Sequence, residues 1–249
     1  MHIDINCDLG EGDDISSCDR DASIMPYISR CNIACGGHAG SPEIMRLSIA
    51  NALGQQLRIG AHPGYPDRVN FGRKSIKLSR SELLDSLQDQ IGLLRTFIAE
   101  AGAELDHIKL HGALYNDAES NEELAEQILI FFAQEYPNMK IVGLANGAME
   151  VVGKKFNTAF IREGFMDRRY LSKKKLAPRA LPGSVITDPK SCLDQALALA
   201  RGEIFSGYRG EPIQLSVDTI CLHGDTPTAP IIAKQLMRHL RKNGLTIHS

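Results

Sequence analysis

A short apolar run that ends at a histidine next to glycine or proline occurs four times in this chain. In the segment 32–40, the run leads into Gly36-Gly37-His38. Ser41-Pro42 follows, and these residue types are preferred at a helix N-cap and at the first helical position. The segment therefore predicts a strand, a tight turn that carries His38, and a helix N-terminus. The other runs end at His62, His111 and His223.

The rest of the sequence also alternates short apolar runs with amphipathic segments. The clearest helix is predicted at 79–101, where leucine and isoleucine recur at helical spacing before Gly102. This alternation predicts βα units around a largely parallel sheet. Polar side chains stand at the C-terminal ends of the apolar runs, where βα barrels place their active sites. About seven runs favour an α/β fold with an irregular seven-stranded (β/α) barrel in a single domain, 1–249. An open doubly wound sheet is the alternative.

The turn and periodicity signals also predict element boundaries. Strands are expected at 2–9, 30–35, 57–61, 107–111, 140–144, 158–161 and 218–222, with a possible edge strand at 245–247. Helices are expected to begin near Ser41, Ser79, Asn121, Asn146, Pro189 and Thr228. The stretch after the first strand is predicted to be a polar link up to Pro26, and 63–77 a binding or lid loop. Basic and polar loops are expected at 173–182 and 202–212.

Composition argues against several functional classes. Hydrophobic residues make up 43% of the 249 residues and the formal net charge is -2, so nothing favours a nucleic-acid partner. No apolar run approaches the roughly 20 residues of a membrane-spanning helix. The N-terminus begins with an alternating strand, so no secretory signal is predicted. The six cysteines form no CxxC pair, which favours free thiols in a reduced, cytoplasmic protein.

Carboxylates, imidazoles and cations collect at the predicted strand ends. Such a set can bind a divalent metal that activates water, or can share acid and base roles without a metal. Arginine and lysine at the same edge suit a carboxylate or phosphate on the ligand. The set is Asp8, Glu11, His38, His62, Lys109, His111, Glu163, Asp167, Arg168, His223 and Asp225.

Other polar residues have simpler interpretations. His107, His239 and His248 are expected to be structural, and Lys173–Lys175 to be a solvated loop. No GxGxxG occurs, and the stretch 147–155 has the wrong spacing for a Walker phosphate loop. The chain therefore lacks the two commonest sequence devices for holding ATP.

Several long motifs, in order, resemble the LamB/YcsF family over nearly the whole chain. They are residues 6–12, 32–40, 60–67, 71–73, Lys109 with 111–116, Asp167-Arg168 with Tyr170, and Cys221 with 223–225. Leu110 replaces a usual proline, Ser41 replaces an aspartate before the helix, and Asn70 replaces a glycine. Lys173-Lys174 replaces an Asp-Gly turn, so that loop is expected to have another shape.

The resemblance implies an ATP-dependent opening of the lactam 5-oxo-L-proline to L-glutamate, together with partner subunits B and C. It also implies a seven-stranded barrel similar to glycoside hydrolase/deacetylase folds. ATP would be held or used with the partners, and a divalent metal and a homo-oligomer both remain possible. The expected catalytic residues are Asp8, Glu11, His38, His62 and His111, with Asp8, His38 and His62 as metal candidates.

The expected substrate-binding residues surround this group. They are Asn32, Lys109, Tyr115, Glu163, Asp167, Arg168, Arg179, His223 and Asp225. Asp8 or Glu11 would act as base or metal ligand, and Arg168 or Lys109 would hold the substrate carboxylate. Two alternatives stay open at this point: a self-sufficient metal-dependent deacetylase or amidohydrolase, and a non-catalytic ligand-binding subunit.

Overall fold

Seven parallel strands close into a barrel in the computed structural model, which describes residues 1–224 and 226–247. Twelve strands are described in all: β1 His2–Leu9, β2 Arg30–Ala34, β3 Arg58–His62, β4 His107–Lys109, β5 Lys140–Leu144, β6 Phe160–Phe165, β7 Tyr170–Ser172, β8 Lys175–Leu176, β9 Ile204–Ser206, β10 Pro212–Gln214, β11 Thr219–His223 and β12 Thr246–Ile247. The seven barrel strands are β1 to β6 and β11. Strands β1 to β6 pair in sequence, β6 pairs with β11, and β11 closes the barrel against β1. The predicted seven-stranded barrel is confirmed and the open sheet is wrong, whereas the single domain over 1–249 stays a prediction.

Eight helices cover the outside of the barrel in the described ranges. They are α1 Ser17–Ile24, α2 Pro42–Gly54, α3 Arg80–Glu100, α4 Gly112–Ser120, α5 Glu122–Glu135, α6 Ala148–Lys155, α7 Pro189–Arg201 and α8 Ala229–Lys242. The Ser41 side chain accepts a hydrogen bond from Ile44 N, so it caps α2 although the family pattern has aspartate there. Ser79 and Glu82 form a capping box at the start of α3. No described helix has the length and apolar character that spanning a membrane requires.

Two helices replace segments that sequence reasoning left irregular. Helix α1, followed by a short 3-10 helix, occupies the predicted polar link. The side chain of its N-cap Ser16 donates to Asp14 and accepts from no backbone N–H of the helix, so α1 lacks the usual serine cap. It is held instead by tertiary contacts, including the buried Asp21 carboxylate, which accepts a hydrogen bond from Gly10 N at 2.8 Å. Helix α4 begins at Gly112, a residue that favours turns, and it was not predicted either.

Parts of the predicted loops form strands, and another part is hydrogen-bonded to adjacent segments. The β7–β8 and β9–β10 hairpins lie within or beside segments expected to be loops, and β12 forms the expected edge strand beside β1. The segment 63–77 contains no helix or strand. Arg68 donates hydrogen bonds to the carbonyls of Gly36 and Gly40, and Ala113 N donates to Gly72 O. These bonds make the segment a fixed wall beside the histidines, which fits the binding role better than the lid role.

The barrel interior is filled by polar side chains. Strand β1 alternates buried apolar residues with Asp4, Asn6 and Asp8. At the N-terminal end, Asp4 accepts hydrogen bonds from the Arg30 guanidinium at 2.8 to 3.0 Å and from Thr219 Oγ1 at 2.8 Å. Each buried charge therefore has an opposite charge or a hydrogen-bond partner, which burial requires.

Gly60 makes room for this interior packing. A Cβ added at Gly60 would lie 2.1 Å from His107 Nε2, and that atom hydrogen-bonds Asn32 Oδ1 at 2.7 Å. We expect Gly60→Ala to lower the free energy of unfolding by about 1–3 kcal/mol through overpacking. Gly92→Ala is the control: a Cβ there meets nothing within 4 Å, and alanine in helix α3 should add about 0.5–1 kcal/mol. Urea unfolding of both variants measures these changes. Equal free energies of unfolding for Gly60→Ala and Gly92→Ala would contradict the packing argument.

Candidate functional site

The C-terminal ends of the barrel strands surround a cavity of about 420 Å³, within the range of small-molecule sites. Acidic, imidazole and cationic side chains all line this cavity. The acidic and imidazole residues are Asp8, Glu11, His62, His111, Asp117, Glu119 and His223, and the cationic residues are Arg73, Lys109, Arg168, Lys174, Lys175 and Arg179. The cavity thus lies where the sequence placed the site.

The Lys109 ammonium, at the end of β4, is the buried charge at the base of the cavity. Its Nζ lies 2.8 Å from both Asp8 Oδ1 and Glu163 Oε1. It also donates to Asn6 Oδ1 at 3.1 Å and approaches Cys221 Sγ at 3.3 Å. Burial lowers the pKa of Lys109, but the two carboxylates outweigh it and hold that pKa well above its usual value.

This arrangement bears on the predicted role of Lys109. An ammonium has three N–H donors, and Asp8 Oδ1, Asn6 Oδ1 and Cys221 Sγ accept from them, while Glu163 Oε1 forms an ion pair with the same ammonium. The donors of Lys109 are therefore engaged within the protein, which favours charge balance as its role, and binding of the substrate carboxylate by Lys109 stays a prediction. Its effect is to keep Asp8 ionised: burial raises the pKa of Asp8, but His62 and Lys109 outweigh burial and lower it well below its usual range.

Two more residues that were predicted to bind substrate, Asn32 and Tyr115, hydrogen-bond the groups around Lys109. Asn32 is fully buried, donates to Asp8 Oδ1 at 2.7 Å and to Asn6 Oδ1 at 2.9 Å, and faces His107 with its own oxygen. Tyr115 OH donates to Glu163 Oε2 at 2.9 Å. Both residues therefore orient carboxylates or amides around Lys109, and of the two only Tyr115 also lines the cavity.

Glu11 and three histidines form a compact cluster at the other side of Asp8. Glu11 Oε1 lies 2.9 Å from His38 Nε2, 3.1 Å from His111 Nδ1 and 3.7 Å from His62 Nε2. The His38 and His111 rings stack at 3.5 Å between centroids. Phe71 packs edge-on against both rings, so the loop 63–77 encloses the cluster.

Backbone carbonyls determine which nitrogens of this cluster carry lone pairs. His62 Nδ1 lies 2.9 Å from Lys109 O, and His111 Nε2 lies 2.9 Å from Phe71 O. Because a carbonyl can only accept, each of these nitrogens carries the proton. The opposite nitrogens, His62 Nε2 and His111 Nδ1, then present lone pairs 3.0 Å apart. Two facing lone pairs beside a carboxylate require a cation between them, either a proton or a metal ion.

The protonation preferences of the cluster agree with a shared positive charge. Burial raises the pKa of Glu11, but hydrogen bonds with His111 and His38 outweigh it and lower it below its usual range. Burial lowers the pKa of His62, but the Asp8 carboxylate outweighs it and raises it above its usual value. Burial lowers the pKa of His38 to about 4, so that ring is neutral at pH 7. Its buried Nδ1 has no hydrogen-bond partner among the described residues.

The chemistry of these donors fits a divalent metal such as zinc, which prefers imidazole nitrogen and carboxylate oxygen. Ligand atoms from Glu11, His38, His62 and His111 all lie within 4.8 Å of one another. Asp8, the third metal candidate from the sequence, lies beside this set with its Oδ1 occupied by Lys109. A second group of Asp8, Cys221 and His223 fits less well, because burial raises the pKa of the Cys221 thiol and a metal needs the thiolate.

A cationic and imidazole group lines the same cavity, with His223 close to Asp8. His223 Nδ1 lies 2.6 Å from Asp167 Oδ2, and its Nε2 lies 2.9 Å from the Arg179 guanidinium. Arg168 is buried and donates to Ala177 O, while its Nε has no partner among the described residues. Arg168 and Arg179 thus provide guanidinium groups at the cavity wall.

The structure thus brings thirteen of the fourteen predicted site residues to one end of the barrel; Asp225 lies outside the described residues. His107 is buried in the interior as expected, His239 lies on the outer helix α8, and His248 lies outside the described part of the chain. The exposed Lys174 and Lys175 line the cavity, so this loop is more than the solvated face expected.

Sequence reasoning missed Asn6 and Glu119. The alternation Asp4, Asn6, Asp8 in β1 could have revealed Asn6 as an inward-facing residue. Glu119 accepts hydrogen bonds from Leu144 N and Met149 N, and burial raises its pKa to about 8. Nothing local in the sequence distinguishes it from the other acidic residues of its helix.

A comparison with known protein families gives a match to the LamB/YcsF family over residues 3–249. The chain belongs to the LamB/YcsF family. A relative from Heliobacterium modesticaldum, named as the A subunit of 5-oxoprolinase, is 38% identical over 99% of this chain and 97% of its own length. A Chloroflexus aggregans protein with the same name is 37% identical over 100% of this chain and 99% of its own.

Solved structures agree with this assignment. The chain is similar to a lactam utilization protein from Thermus thermophilus, with a TM-score of 0.91 and 34% identity over 100% of this chain and 99% of that one. A putative cellobiose-phosphate cleavage protein from Enterococcus faecalis has a TM-score of 0.57 at 12% identity, covering 100% of this chain and 97% of that one. That second likeness shows a shared fold alone.

Lys109→Met tests the role of the buried ammonium. Removing it leaves Asp8 and Glu163 without their cation, and breaking such a buried pair costs about 3–5 kcal/mol of unfolding free energy. Because Lys109 holds the pKa of Asp8 low, it contributes stability above the pKa of unfolded aspartate. The deficit should therefore be largest near neutral pH and shrink as the pH falls and the carboxylates become protonated.

Urea unfolding at several pH values measures this deficit. Lys140→Met on the neighbouring strand is the matched control, since its ion pair with Asp106 is half-exposed and worth about 0–1 kcal/mol. A deficit for Lys109→Met that matches the control at every pH would contradict the assigned role.

Proposed function

We propose that this chain is the A component of an ATP-dependent 5-oxoprolinase, whose barrel mouth opens the lactam of 5-oxo-L-proline to L-glutamate together with partner subunits B and C. Family membership and the names of the relatives support the 5-oxoprolinase role. The observation that carries the chemistry is a carboxylate and imidazole cluster that shares one cavity of ligand size with two arginines.

The substrate is a five-membered cyclic amide that carries a carboxylate. Arg168 and Arg179 suit that carboxylate, because guanidinium groups match its two oxygens. We place the amide carbonyl toward the Glu11 cluster, which borders the same cavity. Asp8 is our choice of general base, since its Oδ2 is not engaged by Lys109 or Asn32 and lies 3.4 Å from His62 Nε2.

The dependence on ATP fits both the chemistry and the sequence. Water attack on an amide loses resonance energy, so activation of the carbonyl is reasonable for an unstrained lactam. The sequence has neither a Walker loop nor GxGxxG. We therefore assign nucleotide binding to the partner subunits or to their contact with this chain. All six cysteines are free and buried, which suits the reduced cytoplasm that we propose as the location.

A divalent metal held by Glu11, His38, His62 and His111 is part of the proposal. Such an ion supplies Lewis acidity and lowers the pKa of a bound water. In its absence the same residues share a proton, as the facing lone pairs of His62 and His111 require. This donor set also favours a second candidate function, a self-sufficient metal-dependent amidohydrolase on the same barrel.

Mixing the subunits separates the two candidates. We expect glutamate release from 5-oxoproline and ATP with subunits B and C present, and none from this chain alone. Full activity of this chain without partners would instead support the amidohydrolase.

Asp8→Asn should lower turnover by about 10²–10⁴-fold, the usual contribution of a positioned acid or base, with little change in substrate binding. Weaker binding with unchanged turnover would favour a non-catalytic binding subunit.

Metal titration of the purified chain tests the ligand set. We expect calorimetry to show one Zn²⁺ bound per chain. The Zn²⁺ affinity of Glu11→Gln and of His62→Gln should be weaker than that of the unmodified chain by about 10-fold or more. His239→Gln, a change of the same type on the outer helix α8, serves as control and should bind like the unmodified chain. Equal affinity in all four proteins would place the metal elsewhere or remove it from the proposal.

A further inference from the structure

We propose that Asp167 and His223 form a second acid–base pair, in which His223 protonates the leaving ring nitrogen of the substrate. Before substrate binds, the Arg179 guanidinium occupies the His223 Nε2 atom that later donates this proton. The inference rests on the proposed function for the identity of the substrate. It concerns a pair separate from the Glu11 cluster, on strand β11 and the loop after β6.

The tautomer of His223 follows from its contacts. Asp167 Oδ2 accepts from His223 Nδ1 at 2.6 Å, so Nδ1 carries a proton. A guanidinium can only donate, so His223 Nε2 accepts from Arg179 at 2.9 Å and is unprotonated there. His223 also stacks on the Phe165 ring, with 5.9 Å between centroids and 24° between planes. Its orientation is thus fixed from two sides, with Nε2 directed at Arg179.

Asp167 is a positioning residue in this pair. Burial raises its pKa, but His223 and the nearby arginines outweigh burial and lower it, so the carboxylate stays ionised. An ionised carboxylate at Nδ1 stabilises the imidazolium that forms when Nε2 takes a proton. The second Asp167 oxygen is buried and has no partner among the described residues.

The covalent structure of the substrate places its nitrogen near His223. In 5-oxoproline the ring nitrogen and the carboxylate are attached to the same carbon. A carboxylate that binds Arg179 therefore brings the nitrogen close to the atom that Arg179 had covered. The carbonyl carbon, on the far side of the nitrogen, then faces Asp8 and the Glu11 cluster.

The reaction step balances with water as the only co-reactant. Arg179 turns to the substrate carboxylate, and His223 Nε2 takes a proton from solvent. Water adds through its oxygen to the carbonyl carbon while Asp8 takes the water proton. The carbon–nitrogen bond breaks, its electron pair stays on nitrogen, and the His223 Nε2 proton moves to that nitrogen. Asp8 returns its proton to solvent, and ATP coupling at the carbonyl leaves the nitrogen's need for a proton unchanged.

The first measurement compares two leaving groups in the complex with subunits B and C. The lactone 5-oxotetrahydrofuran-2-carboxylate carries oxygen in place of the ring nitrogen, and an alkoxide leaves with far less need of a proton. We expect His223→Gln to lower turnover of the lactam by about 10²–10³-fold and of the lactone by less than about 10-fold. The ratio of lactam turnover to lactone turnover should also fall in Asp167→Asn, but by less than in His223→Gln. The same ratio should be unchanged in His239→Gln.

The second measurement needs no turnover. Nitrogen NMR of the isolated chain should show His223 Nε2 as an unprotonated acceptor, and as a protonated nitrogen after 5-oxoproline is added. An unchanged His223 signal at saturating 5-oxoproline, or equal losses on lactam and lactone, overturns the acid–base pair and leaves the proposed function standing. No glutamate from the complete complex, with no 5-oxoproline-dependent shift at any residue, overturns the proposed function as well. Circular dichroism of each variant checks that it keeps the secondary structure of the unmodified chain, so that misfolding is not mistaken for one of these outcomes.

Discussion

The Lys109 ammonium is the contact on which the rest of the site depends. It lies inside the barrel between Asp8 and Glu163, which come from β1 and β6. Burial by itself raises the pKa of Asp8, so without a cation beside it this carboxyl would favour its protonated form. Lys109 thus keeps Asp8 ionised, and the pairs Asn6–Asn32 and Tyr115–Glu163 fix the geometry around it.

Backbone carbonyls give the histidine cluster its chemical character. Lys109 O and Phe71 O each bind one nitrogen of a histidine and so direct the other nitrogen toward Glu11. Phe71 has φ of 54°, an unfavourable value for a side chain of this size, and its carbonyl and ring both contact the cluster. The loop 63–77 therefore contributes through its backbone position as well as through its side chains.

Some elements were predictable from local signals and others were not. Helices α2 and α3 have a capping serine followed by helical periodicity, and both begin where expected. Helix α1 has no side-chain cap and α4 begins with glycine, so both depend on packing that no local pattern records. Lys109 was recognised as a site residue, but its partners lie on other strands, so the engagement of its donors within the protein was not predictable.

The sequence by itself determined the alternation of strands and helices and the presence of acids, imidazoles and arginines at the strand ends. Parallel strands bring their C-terminal ends to one edge, so the collection of these residues followed from the pattern. Only the tertiary structure decided which atoms face each other. It grouped His38, His62 and His111 with Glu11, and it paired His223 with Asp167 and Arg179. The physical reason is that hydrogen-bond partners and tautomers depend on distances of a few tenths of an ångström between residues far apart in sequence.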